Sequence, residues 1–228
     1  MLAIEESEAV QRPEPRPGVG EVLVRNRFIG TPGGEAAGEV VAAADPALIG
    51  QAVVYFPGGG RYAEYAAVPV EELVPLEPGT PLDVAAALAF DGTAAYVLTH
   101  VGFRLRAGDR VAATGLVAQL AELAGAELVT ENAKIAYGGG LEQLASRGTL
   151  ILHGGNPHGR IDVERLAERQ LSVHWVDTAH YLATPAARAM ALRFVLERVE
   201  PEILERVPLR DAARGRETPE SGKVLLIV

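Results

Sequence analysis

The sequence predicts an α/β chain, with a mostly β part first and a doubly wound parallel sheet after it. Three observations carry this. Residues 104–132 read RLRAGDRVAATGLVAQLAELAGAELVTEN, a strand, helix and second strand in close succession. Such a βαβ unit needs a crossover, and hence a parallel sheet. Before about Thr99 the pattern is mostly strand, whereas after it strands and helices alternate. Twenty-five Gly and fifteen Pro suit a turn-rich α/β chain better than a helical bundle.

Composition narrows the class. The 228 residues are 48% hydrophobic, enough for a sizeable core in one large or two modest domains. A net charge of −9 argues against nucleic acid or an anionic membrane as partner. No apolar run has the length of a membrane span, and the first ten residues lack the pattern of a secretory signal. The absence of cysteine excludes disulfides, thiolate zinc sites and cysteine nucleophiles. These features predict a soluble, cytoplasmic globular protein.

Along the chain, Pro13, Pro15 and Pro17 mark an extended segment leading into a strand over 21–28, where Val22, Val24 and Asn26 alternate with Leu23 and Arg25. Further strands are predicted over 51–56 and 62–68. The three glycines at 58–60 between them read as a hairpin connection, because no helix follows to make a phosphate loop. Residues 71–81 read as loop and strand, and 82–98 as an Ala-rich helix interrupted at Asp91-Gly92.

In the second part, Gly108-Asp109 turns into a strand over 110–114. Gly115 opens a helix over 116–123, with Leu116, Val117, Leu120 and Leu123 at helical spacing. Gly125 stops it, and 127–130 is the second strand. A nucleotide would sit at the helix N-terminus, yet only Thr114-Gly115 stands where a G-x-G-x-x-G turn is wanted. Then follow a strand over 134–137, glycines 138–140, a helix over 141–146 and a buried strand over 149–153 ending in GGNPHG. A helix over 163–170 and a strand over 171–176 come next. That strand, last in its domain, is predicted at the sheet edge. A helix over 184–199 and a loop with a short helix lead to a closing strand over 223–228.

Eight phrases in order carry a resemblance: GEVLVRNRFIG (20–30), GGEAAGEV (33–40), GRYAEYAAVP (60–69), PLDVAAALAFDGTAAYVL (81–98), LRAGDRV (105–111), RGTLILHGGNPHG (147–159), AHYLATPAARAMAL (179–192) and SGKVLLIV (221–228). Together they resemble the medium-chain dehydrogenase/reductase superfamily, and within it the zinc-free, zeta-crystallin-like quinone oxidoreductases. The resemblance implies a GroES-like catalytic domain over 1–98 and 205–228. It implies a shortened Rossmann cofactor-binding domain over 99–204. It implies a homodimer whose activity is NADPH- or NADH-dependent hydride transfer to a small-molecule substrate, a quinone or an activated double bond. Thr93, Tyr137, Gly138, His153, Gly154, Gly155 and Asn156 would line the nicotinamide and pyrophosphate cleft, with Thr114 and Gly115 as what remains of the diphosphate turn. Where the zinc-dependent branch carries a His, Gly34 and Glu35 stand, so no metal is expected. Glu131 sits where an acid would hold a ribose hydroxyl and repel a 2′-phosphate, favouring NADH, whereas the resemblance favours NADPH.

The departures also carry information. Thr31-Pro32 runs straight to Gly33 where the family has a substrate loop. Gly115 passes directly to Leu116 where the family has a glycine-rich loop, and a piece of sheet is missing before Ala133. No catalytic acid or base is assignable. Two alternatives follow: a non-catalytic dimeric scaffold that has lost cofactor binding, and an enoyl reductase. His174, Asp177 and His180 share no common face for a metal. None of Ser7, Ser146, Ser172 or Ser221 sits in G-x-S-x-G, and Gln119 and Glu122 read as a solvated helix face.

Overall fold

The structure is a computed structural model, describing residues 1–5, 8–56, 62–154, 161–212 and 222–228. The chain divides into two compact units, one of residues 1–93 with 188–228 and the other of 94–187. The sequence placed these limits at 98 and 205. They fall earlier because the helix Pro185–Leu196 packs within the first unit. A Cβ at Gly92 would touch Val195 at 3.2 Å, and Arg188 donates to the Glu71 carbonyl at 2.9 Å.

The first unit opens with β1 (Leu2–Glu5) and β2 (Glu8–Gln11), an antiparallel pair that sequence reading did not foresee. Its main sheet is built on β3 (Glu21–Thr31), with β4 (Ala36–Ala42), β5 (Ala52–Tyr55), β6 (Tyr65–Pro69) and β7 (Leu73–Pro75). The strand predicted to end at Phe28 continues to Thr31, where β14 (Lys223–Ile227) supplies a partner. One edge of β3 is thus shared, β6 taking Glu21 to Arg25 and β14 taking Phe28 to Thr31. The order is β13-β14-β3-β4-β5-β7, with β13 (Ile203–Pro208) parallel to β14 and the other pairs antiparallel. Val22, Val24 and Asn26 are buried as the predicted alternation expects, but Leu23 on the opposite face is buried as well. Asn26 is satisfied there, donating to the Ala63 carbonyl at 2.9 Å and accepting from the Tyr55 hydroxyl at 2.9 Å.

One expectation fails here. The strands flanking Gly58-Gly59-Gly60 do not pair with each other, since β5 lies between β4 and β7 while β6 pairs with β3. β5 and β6 therefore form no hairpin with each other; the glycines between them lie outside the described residues.

Helix α1 (Leu82–Ala89) covers the sheet with Ala85, Ala86, Ala87 and Ala89, whose small side chains let it approach closely, and with the buried Leu88. The predicted helix breaks at Phe90, and α2 (Asp91–Tyr96) carries the chain into the second unit. At this break lies a buried ion cluster. The Lys223 ammonium contacts the Glu35 carboxylate and reaches Asp91 at 2.9 Å, with Glu35 1% and Lys223 4% exposed. The second Glu35 oxygen, Oε2, meets no hydrogen-bond donor among the described residues. Burial pushes the Glu35 carboxyl above its ordinary value, with Lys223 opposing. Burial disfavours the charged Lys223, but Glu35 and Asp91 outweigh it and hold the ammonium charged.

The second unit is a five-stranded sheet, every pair parallel, in the order β12-β11-β10-β8-β9. Its strands are β8 (Arg110–Ala112), β9 (Glu127–Leu128), β10 (Ala133–Tyr137), β11 (Leu144–His153) and β12 (Ser172–Val176). One face packs α3 (Gly115–Leu123) against Val111, Ile135, Ile151 and Val176 through Ala121 and Val117. The other packs Leu166 of α4 (Val163–Arg169) and Val129 against Ala112, Ala136 and Leu150. The unit is thus doubly wound, as predicted, and β12 stands at the edge as predicted.

Between β9 and β10 only four residues, Val129 to Asn132, pass from one side of β8 to the other. The alanines at 112, 133 and 136 leave room for Val129 where a crossover helix would ordinarily lie. The helix predicted over 141–146 is absent. A 3₁₀ turn at Leu141–Gln143 gives way to β11, whose first residue Leu144 pairs with Ala133 and is fully buried. Arg169 donates to the Leu141 carbonyl at 2.9 Å and to that of Leu144, taking the acceptors a helix would have used. The expected turn at Arg147-Gly148 survives as an irregularity, with Arg147 at φ 64°.

Candidate functional site

Strand order reverses at β8: the chain goes to β9 on one side, then to β10 on the other. In open parallel sheets, ligands bind outside the carboxyl ends of the strands at such a point. Here three adjacent strands each end in a glycine with positive φ: Gly115 at 57° after β8, Gly138 at 71° after β10 and Gly154 at 75° after β11. A Cβ at any of the three would meet nothing within 4 Å. Packing therefore does not demand glycine at these positions. Their left-handed backbone favours it, and the space beside each is open. This is what close approach of a pyrophosphate to backbone N–H groups requires.

Thr114 is exposed and caps α3 with extended backbone, without a side-chain hydrogen bond to the helix. Tyr137 ends β10 half-buried, its hydroxyl donating to the Leu98 carbonyl at 3.1 Å. That carbonyl lies in a π-helical turn, Val97–Val101, which sequence periodicity gave no means to foresee. Burial, and then the charge of Asp109, raise the Tyr137 phenol, so it remains a donor at all ordinary pH. His153 is the exposed last residue of β11, opposite Val176 of β12. Gly155 and Asn156 lie outside the described residues. Glu131 is exposed, three residues beyond β9.

Thr93 lies on α2. It belongs to the first unit and is fully buried, its hydroxyl donating to the Ala89 carbonyl at 2.5 Å. That hydroxyl is thus committed to the last residue of α1.

At the opposite, amino end of β8, Asp109 accepts from the Arg106 N–H at 2.9 Å and from Lys134 at 2.7 Å. Burial raises its carboxyl, but these partners outweigh burial and hold it below its ordinary value. This cluster braces the turn into the sheet. The residues of the alternative metal reading are separately engaged: His174 packs on Phe103 at 5.5 Å, Asp177 accepts from the Ala179 N–H at 3.1 Å, and His180 meets Tyr181 edge-on. No single helix among the described residues is long and apolar enough to cross a membrane.

No family model matches the chain. It is similar to a probable quinone oxidoreductase of Schizosaccharomyces pombe, 36% identical over 84 residues, which are 35% of this chain and 26% of that protein. It is similar to prostaglandin reductase-3 of Bos taurus, 35% identical over 127 residues, 45% of this chain and 33% of that protein. The matches thus span between a quarter and a third of these curated relatives. Among solved structures it resembles mycobacterial Rv1454c, complexed with NADPH, at a TM-score of 0.76 and 23% identity, covering 100% of both chains. That likeness shows the fold, with a GroES-like unit and a Rossmann-like unit.

Proposed function

We propose that this chain is a member of the medium-chain dehydrogenase/reductase superfamily, on its quinone-oxidoreductase side, and carries out NAD(P)H-dependent reduction of a small molecule. The carrying observation is the row of three left-handed glycines, Gly115, Gly138 and Gly154, at strand ends beside the reversal of strand order. When bound, the nicotinamide would supply the hydride, and the protein supplies binding and orientation. Gly115 and the first turn of α3 would face the pyrophosphate, where the helix dipole favours negative charge. Gly138 and Gly154 would let the backbone of β10 and β11 approach the same ligand. Tyr137, tied to Leu98, holds the end of β10 in place. A quinone or an activated double bond fits as acceptor, since neither demands a dedicated protein acid.

NADPH is the proposed cofactor, in line with the NADPH bound to Rv1454c. Glu131 weighs toward NADH, because a carboxylate there would repel a 2′-phosphate. We also propose a homodimer, formed by pairing of β12, an edge strand with Trp175 46% exposed.

The test is titration of the purified chain with NADPH and then NADH, following nicotinamide fluorescence and the thermal midpoint. Binding that raises the midpoint, followed by quinone turnover, supports the reading. Turnover of an enoyl substrate alone would shift it to an enoyl reductase. No binding at millimolar concentration would refute it and favour the scaffold reading, for which the single glycine between Thr114 and Leu116 is the evidence.

A further inference from the structure

The first unit holds a cavity of about 590 Å³ that takes no part in the strand-end site, walled by β7, the segment into α1, the helix α6 (Pro185–Leu196) and the start of β13. Its size lies within the range of small-molecule sites. Leu76, Val84, Leu192, Leu196, Val199 and Ile203 make its walls apolar. A second hollow of about 530 Å³ shares Pro75, Leu76, Glu77, Ala189 and Arg193 with it. Where the two meet, Arg193 and Glu77 face each other at 3.7 Å, both largely exposed. That distance is an ion contact but too long for a direct hydrogen bond.

This mouth discriminates among head groups. Among the described residues lining either hollow, Arg193 is the only cation. The other lining carboxylates are engaged, Glu197 by Arg198 at 2.7 Å, and Glu200 too is not free. An anionic head drawn to Arg193 would lie against Glu77, and a cationic head drawn to Glu77 would lie against Arg193. A neutral group that both accepts and donates satisfies the two together, accepting from the guanidinium and donating to the carboxylate. The apolar walls would hold a hydrocarbon body. We propose that this cavity binds an apolar molecule bearing one neutral donor–acceptor head, of the long-chain alcohol class.

The test compares 1-decanol, decanoate and decylamine on the full chain by calorimetry and thermal midpoint. Decanol is expected to bind saturably and raise the midpoint, with each charged analogue at least tenfold weaker. Ala189→Trp, which fills the wall common to both hollows, should weaken decanol at least tenfold. Arg193→Met, a change at an exposed side chain, should weaken it at least threefold and keeps the test valid should the Trp variant fold poorly. No saturable binding of decanol overturns the proposal. So does binding unaffected by either substitution, or a charged analogue that binds as tightly as the alcohol.

Discussion

Lys223→Met would remove the ammonium from the buried cluster and leave Glu35 without a cation. Breaking a buried pair on one side ordinarily costs about 3–5 kcal/mol. The arrangement here sets a ceiling, because Glu35 can escape by taking up a proton. Its ordinary value is 4.5, so holding the carboxyl neutral at pH 7 costs about 1.4 kcal/mol for each of roughly 2.5 pH units, or about 3.4 kcal/mol. Asp91, about half exposed, recovers water and adds little. A carboxyl raised in the folded state stabilises the fold at low pH, and that contribution is lost as pH rises above the unfolded value. The penalty should therefore shrink to about 0.7 kcal/mol at pH 5. Urea denaturation at both pH values, with amide exchange of β3 and β14 to read the first unit by itself, would measure it. Adding Glu35→Gln should restore most of the loss at pH 7. The reasoning fails if Lys223→Met costs under 1 kcal/mol at pH 7, if its penalty is the same at pH 5, or if the second substitution restores nothing.

Four further outcomes are expected. Gly138→Ala forces a Cβ into left-handed backbone, costing about 1–2 kcal/mol of stability by denaturation, and its methyl group intrudes on the open space, so NADPH binding by fluorescence should weaken at least tenfold. Glu131→Arg should move the ratio of NADPH to NADH affinity toward NADPH by about tenfold, and an unchanged ratio would remove Glu131 from the ribose site. Tyr137→Phe should cost about 1 kcal/mol in denaturation through the lost bond to Leu98, with little change in the first unit's amide exchange. Asp109, held below its ordinary value of 3.8 by Lys134 and Arg106, contributes stability that is present above that value and lost as pH falls through its folded value. Lys134→Met should therefore flatten the acid limb of the stability profile below about pH 4.

Much was legible before any coordinates. The helical spacing of Leu116, Val117 and Leu120, closed by Gly125, specified β8-α3-β9 because local periodicity and stop signals suffice for such a unit. The alternation of Val22, Val24 and Asn26 likewise marked the buried face of β3. The positive φ of Gly138 and Gly154 is backbone that favours glycine, a feature their place at strand ends in the sequence hints at.

Tertiary structure decided what depends on distant partners. Leu141 to Ser146 has the composition of a helix, but pairing of Leu144 with Ala133 and capture of two carbonyls by Arg169 make it turn and strand. The glycines at 58–60 resembled a hairpin only while β5 and β6 were taken as neighbours. The cluster of Glu35, Asp91 and Lys223 joins residues up to 188 positions apart. Periodicity and turn chemistry act within a few residues and were readable in order along the chain. The burial of a charge, the choice of a strand's partner and the space beside a glycine arise only when remote segments meet.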